Sequence, residues 1–163
     1  MTIEARYDYD ASFEILYEML TNEDFLRTKY EGIGSRNVAF QTCEQDGDVF
    51  RIEWTREIRA SPPAFASNFL SEWNQTEECL EWTRESDGQA YGEYLCKVSG
   101  VPGKLEGEFE LLADGKTCFE EIIMKASIGI PLVGGKIASL VEADAYTSLE
   151  AEFAFTRAHL AEG

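Results

Sequence analysis

The chain has 163 residues, 44% of them hydrophobic and 12% aromatic, which is enough for one domain with a sizeable core. Lys plus Arg number 14 and Asp plus Glu 31, so the formal charge is −17, and a surface this acidic argues against nucleic acid and anionic membrane as partners. No apolar run approaches the ~18 residues of a membrane span, so no stable membrane insertion is expected; the amino terminus lacks a basic-then-apolar leader, so a cytoplasmic, reducing location is expected.

Ile3, Ala5, Tyr7 and Tyr9 alternate with Glu4, Arg6 and Asp8, the pattern of a half-buried strand. Asp10 or Ser12 caps a short helix whose apolar side is Phe13, Leu16, Tyr17 and Leu20. Thr21 or Asn22 caps a second, with Phe25, Leu26 and Tyr30 inward, and Gly32 and Gly34 end it. Six strand-like segments follow. Val38, Phe40 and Thr42 point one way in the next strand, and Gln45 to Asp48 forms a hairpin turn. Phe50, Ile52 and Trp54 alternate with Arg51, Glu53 and Thr55. Pro62-Pro63 breaks the pattern, and Phe65 to Leu70 reads as a helical turn or a lid loop. The strand at about 73–85 is the most polar, with Leu80 and Trp82 on one face. Asp87-Gly88, Pro102-Gly103 and Asp114-Gly115 mark further turns. Tyr94, Cys96 and Val98 face inward in the fifth strand, Leu105, Gly107, Phe109 and Leu111 in the sixth, and Ile122, Met124, Ala126, Ile128 and Ile130 in the seventh.

Residues 131–160 hold the longest uninterrupted helical pattern. Pro131 and Gly134-Gly135 open it. Ile137, Leu140, Val141, Ala145, Ser148, Leu149 and Phe155 form a broad apolar stripe, and Lys136, Ser139, Glu150 and Arg157 fall opposite. About 25 residues at 1.5 Å each give a rod of roughly 40 Å, close to the width of a domain of this size. The order of elements therefore predicts an α+β fold over 1–163: seven curved antiparallel strands, two short helices after the first, and a long C-terminal helix across the concave face.

Classical catalytic machinery is poorly represented. His159 is the single histidine and falls in the last turns of the final helix, where the helix dipole favours it. Cys43, Cys79, Cys96 and Cys118 are widely spaced, with no metal or redox motif, and read as small buried apolar thiols. No cofactor, metal site or catalytic residue is expected. The informative residues are polar ones inside apolar faces. Asp144, Ser148 and Glu152 project within the helix stripe, either reaching solvent at its edge or orienting a ligand's polar end. Trp54, Trp82, Tyr94 and Phe109 read as core and as cavity wall at once. Gly107, like Gly92 beside it, leaves room on the inner face or marks a strand bend.

The stretches "YDYDASFEILYEMLTNEDFL", Gly107 to Phe109, and "IPLVGGKIASLV" leading to "LEAEFAFTRAHL" carry a resemblance to the START-like, helix-grip (SRPBCC, polyketide-cyclase-like) superfamily. In closer detail the chain resembles the bacterial domain-of-unknown-function family 2505. The resemblance implies a cavity between sheet and long helix that takes a hydrophobic or amphipathic small molecule, whether lipid-like, polyketide-like or quinone-like. The residues assigned to that cavity are Trp54, Tyr94, Gly107, Phe109, Met124, Ile137, Val141, Asp144, Ser148 and Glu152. Two other classes stay open: a cyclase- or hydratase-like enzyme using the cavity acids, and a chaperone-type protein partner acting through its acidic surface. The acidity itself suits solubility, a salt-adapted host or a basic partner.

Overall fold

The computed structural model describes residues 2–162. Strand β1 (Ile3–Tyr9) leads into α1 (Phe13–Leu20) and α2 (Glu23–Gly32), and six strands follow. These are β2 (Arg36–Asp46), β3 (Val49–Arg59), β4 (Trp73–Ser86), β5 (Gln89–Val98), β6 (Gly103–Asp114) and β7 (Thr117–Ile128). Helix α3 (Gly134–Glu162) ends the chain with 29 residues. One seven-stranded antiparallel sheet runs in the order β1-β7-β6-β5-β4-β3-β2. Consecutive hairpins build six of its strands, and β1 joins at the far side of β7, with Tyr9 opposite Cys118 and Ile3 opposite Met124. This is the α+β architecture that the order of elements predicts, and it is the START-like helix-grip fold that the resemblance implies.

Local chemistry sets the helix ends. Ser12 Oγ accepts from Ile15 N at 3.2 Å, and Asn22 Oδ1 accepts from Phe25 N at 2.9 Å, so one of each pair of candidate caps is used. Gly47, Gly88 and Gly115 take positive φ at the hairpin tips. Ala64–Ala66 is a single 3-10 turn in the loop between β3 and β4.

The inner face of the sheet carries the main core, including Ile52, Trp54, Leu80, Trp82, Leu105, Phe109, Leu111, Ile122 and Met124. Helix α3 lies over β7 and β1, and α2 meets its C-terminal half through Phe25 and Phe155. The structure corrects three expectations. A bulge at Gln41 pairs Phe40 with Trp54 but Thr42 with Glu53, so Thr42 turns to the outer face. Val141 and Phe155, both in the apolar stripe of α3, are half-buried rather than fully covered, and the Phe155 ring leans on α2 at Gly32. Cys79 sits on the outer face of β4 and, like Cys43, is half-exposed; Cys96 and Cys118 are the two buried thiols.

A carboxylate the periodicity does not reveal joins α3 to the sheet. Glu142 is 2% exposed, and its Oε2 accepts from Ala126 N at 2.9 Å. Ala126 lies past the stretch of β7 paired to β1, so α3 supplies the acceptor there.

Candidate functional site

A cavity of about 130 Å3 lies between the inner sheet face and α3. Leu80, Leu105, Phe109, Met124, Val141 and Leu149 form its apolar walls, and Trp54 and Tyr94 stand with them. Alternation along each strand delivers these side chains to one face, and the two ring pairs Trp54–Tyr94 and Tyr94–Phe109, at 6.3 and 5.6 Å between centroids, link β3, β5 and β6. Asp144 is exposed and still borders the cavity, so it marks the mouth, together with Ala145 and Ser148. Partial burial raises the Asp144 carboxyl above its ordinary 3.8.

The inner end is charged. Arg56 and Glu78 are each 4% exposed and form a two-pronged ion pair. Nε donates to Oε2 at 2.7 Å and Nη2 to Oε1 at 3.0 Å. Thr76 Oγ1 donates to Oε2 at 2.8 Å and Tyr94 OH to Oε1 at 2.6 Å. Arg56 Nη1 donates to Ser35 Oγ at 3.2 Å, and the guanidinium lies 4.1 Å from the Tyr30 ring centroid. Strand register explains the meeting: Trp54 is opposite Glu78 and Arg56 opposite Thr76, so Arg56 and Glu78 are diagonal neighbours on the inner face. Burial alone pushes Glu78 up, but the Arg56 guanidinium, aided by the two hydroxyls, holds its carboxyl below the ordinary value. Burial first, and the neighbouring thiol and carboxylate second, push the Tyr94 phenol far up, so it stays protonated as a donor.

A second cavity, about 50 Å3, sits deeper, among β1, β7, α2 and α3. Tyr9, Lys29, Glu120 and Thr156 border it. Tyr30, Leu80, Phe109, Leu149 and Glu152 border both cavities and so form the partition. Glu152 spans that partition: Oε2 accepts from Ser148 Oγ at 3.3 Å and Oε1 stands 3.6 Å from Lys29 Nζ. Glu120 is 7% exposed on the inner face of β7. Desolvation, opposed by Lys29 and reinforced by Glu152, pushes its carboxyl up to about 7.

Of the residues singled out in the sequence, Trp54, Tyr94, Phe109, Met124, Val141, Asp144, Ser148 and Glu152 border the main cavity. Two do not. A Cβ on Gly107 would stand 3.0 Å from Phe109 Cε1 and 3.1 Å from Met124 Cγ, so its neighbours already fill the space it leaves. Gly92 is covered in the same way by Trp82. Ile137 is fully buried in a separate small cluster with Ala66, Leu70 and Val101 at one end of the molecule. Sequence reading missed Arg56, Glu78, Lys29 and Glu120. The signal was present for three of them: period two continued from Trp54 reaches Arg56, from Leu80 reaches Glu78, and from Ile122 reaches Glu120.

Among the described residues no group of three or more His, Cys, Asp or Glu side chains is placed to hold a metal ion. No described helix is long and apolar enough to cross a membrane. The model of the family described as "Protein of unknown function (DUF2505)" matches residues 4–160. The chain belongs to the DUF2505 family. No curated protein matches it. Solved structures similar to this DUF2505 protein include TTHA0849 from Thermus thermophilus, 15% identical over 100% of both chains with a TM-score of 0.64. A START superfamily protein from Mycobacterium smegmatis is 10% identical, over 98% of each chain, with a TM-score of 0.57. Norcoclaurine synthase from Thalictrum flavum, in complex with dopamine and hydroxybenzaldehyde, is 8% identical with a TM-score of 0.56 over 98% of this chain and 87% of that one. At these identities the likeness is one of fold.

Proposed function

We propose that this DUF2505 protein binds a hydrophobic or amphipathic small molecule in the cavity between the sheet and α3. The single observation that carries the reading is the cavity itself: about 130 Å3, with apolar walls, a polar inner end and a mouth at Asp144. Packed cores leave few voids larger than a water, so a space of this size inside an otherwise dense core is a feature to be explained. An engineered apolar cavity of about 150 Å3 takes benzene, so the volume suits a ring-sized ligand or the head of a longer one. For about seven heavy atoms the expected binding energy is about −4 to −6 kcal/mol, or Kd between about 1 mM and some tens of micromolar. That a protein of the same fold is seen in complex with two single-ring molecules is consistent with such an occupant.

Titration of methylenecyclohexane, followed by ligand-observed NMR, tests it. Saturable binding to the wild type and a loss of tenfold or more in Val141→Trp, which plugs the cavity from α3, is the expected result. No saturable binding of any ring-sized probe to the wild type, hydrocarbon or polar, removes the proposal. Acid–base catalysis is a second reading, and Glu120, whose carboxyl is pushed up to about 7, favours it. It borders the small cavity rather than the ring-sized one, so this reading needs the partition at Leu149 and Glu152 to open.

A further inference from the structure

The inner end of the main cavity has hydrogen-bond donors to spare, while its one carboxylate is saturated. A guanidinium carries about five N–H groups. Three of those on Arg56 are engaged: Nε and Nη2 with Glu78, and Nη1 with Ser35. The others have no protein partner among the described residues. Glu78 is the opposite case. Its two oxygens accept two bonds from Arg56 and one each from Thr76 and Tyr94, which fills the roughly four lone-pair positions of a carboxylate. Asn74, the buried amide nearby, gives one of its two N–H groups and its oxygen to the backbone of Ser71, at 2.7 and 2.9 Å, so it too adds a donor rather than an acceptor to this end.

Charge narrows the choice further. Glu78 already neutralises Arg56, and Asp144 and Glu152 add carboxylates along the α3 side of the cavity. An anionic ligand would bring an unpaired negative charge into a site that holds no free cation among the described residues. An ammonium at the inner end would face the N–H groups of Arg56 and a Glu78 carboxylate whose acceptor positions are already filled. A pure hydrocarbon would leave the spare N–H groups facing nothing.

We propose that the cavity selects a neutral, ring-sized molecule bearing a carbonyl-type oxygen, and that this oxygen accepts from Arg56 at the inner end. The inference rests on the binding function proposed above and adds to it the chemistry of the ligand's polar group and the residue that recognises it. Arg56 is here the specificity-determining residue, and the apolar walls hold the ring.

The test uses four probes of one ring size: cyclohexanone, its isostere methylenecyclohexane, cyclohexanecarboxylate and cyclohexylammonium. Each is titrated into the wild type, Arg56→Lys and the paired variant Arg56→Met/Glu78→Met. The ratio of ketone to hydrocarbon affinity is the readout, because it cancels the contribution of the walls. That ratio is expected to fall about tenfold in both variants, the loss expected for one charge-assisted hydrogen bond. An unchanged ratio overturns the inference and leaves the binding function standing. Carboxylate or ammonium binding to the wild type as tightly as the ketone also overturns it, with no variant needed should the paired one fail to fold. If no probe saturates the wild type, the binding function itself falls and takes the inference with it.

Discussion

Lys29 Nζ lies 3.6 Å from Glu152 Oε1, and this ion pair between α2 and α3 stands beside the wall that separates the two cavities. The side chains are only 6% and 19% exposed, so the charges attract in a poorly screened setting. Lys29→Met leaves Glu152 and Glu120 with no cation between them. Urea unfolding at pH 7.5 should show a loss of about 3 kcal/mol. Adding Glu152→Leu should restore much of it, since replacing a buried pair by apolar groups is often neutral. A loss in Lys29→Met below about 0.5 kcal/mol, the range of ordinary surface changes, would speak against the pair's burial.

Glu120 makes stability fall as pH rises toward neutrality. Its carboxyl moves from the ordinary 4.5 to about 7 in the folded protein, so the folded state holds a proton that the unfolded state releases. The stabilisation is present in full below pH 4.5 and lost as pH rises to about 7. Its size is on the order of 3 kcal/mol. Glu78 acts in the opposite direction, because its folded value lies below 4.5 and its contribution fades only as pH falls beneath that. The difference in unfolding free energy between wild type and Glu120→Gln, measured from pH 4.5 to 8, should therefore drift in favour of the variant. A flat difference across that range contradicts the assignment.

Gly107→Leu should damage the fold rather than merely plug the cavity. A Cβ there meets Phe109 Cε1 at 3.0 Å and Met124 Cγ at 3.1 Å, and the Ile123 carbonyl oxygen at 3.4 Å. Overpacking of this kind costs about 1–3 kcal/mol. The melting temperature should drop, whereas Val141→Trp, at a half-buried position facing the space, should leave it nearly unchanged.

The four thiols should separate into two kinetic classes. Cys43 and Cys79 are half-exposed, while Cys96 and Cys118 are 5% and 2% exposed. Burial also pushes the Cys118 thiol up to about 11 and Cys96 higher still, which suppresses the reactive thiolate. A disulfide reagent at pH 8 should titrate two groups in native protein and four after denaturation. Four fast groups in the native state would mean the sheet's inner face is open.

The architecture was legible because period two and period 3.6 alternate cleanly along this chain, with a glycine-bearing turn at every hairpin except β3 to β4, where Pro62-Pro63 marks the break. The site was half legible, and the line falls at charge. Trp54, Tyr94, Phe109, Met124 and Val141 follow from hydrophobic alternation. Arg56 and Glu78 occupy inward positions by the same count, yet a lone charge on a strand ordinarily faces water, so the alternation looks broken there. What turns them inward is each other, and their partnership depends on the register of β3 against β4, which a single strand's pattern does not contain. Lys29 and Glu120 are hidden for the same reason across three elements. Gly107 shows the converse error: a missing side chain reads as empty space, but larger neighbours lean over it.

Strand β1 pairs only with β7, Tyr9 opposite Cys118 and Ile3 opposite Met124. During synthesis the chain emerges in the opposite order from the one in which this edge can form. The hairpins from β2 to β7 can assemble as each follows the last, while the first strand waits with Tyr7 and Tyr9 uncovered until β7 leaves the ribosome. Closure of so long a loop is slow compared with forming neighbouring hairpins. The nascent protein therefore carries an unpaired, aromatic-rich strand through most of its translation, and this is the segment through which a stalled or truncated chain would be expected to aggregate or recruit a chaperone.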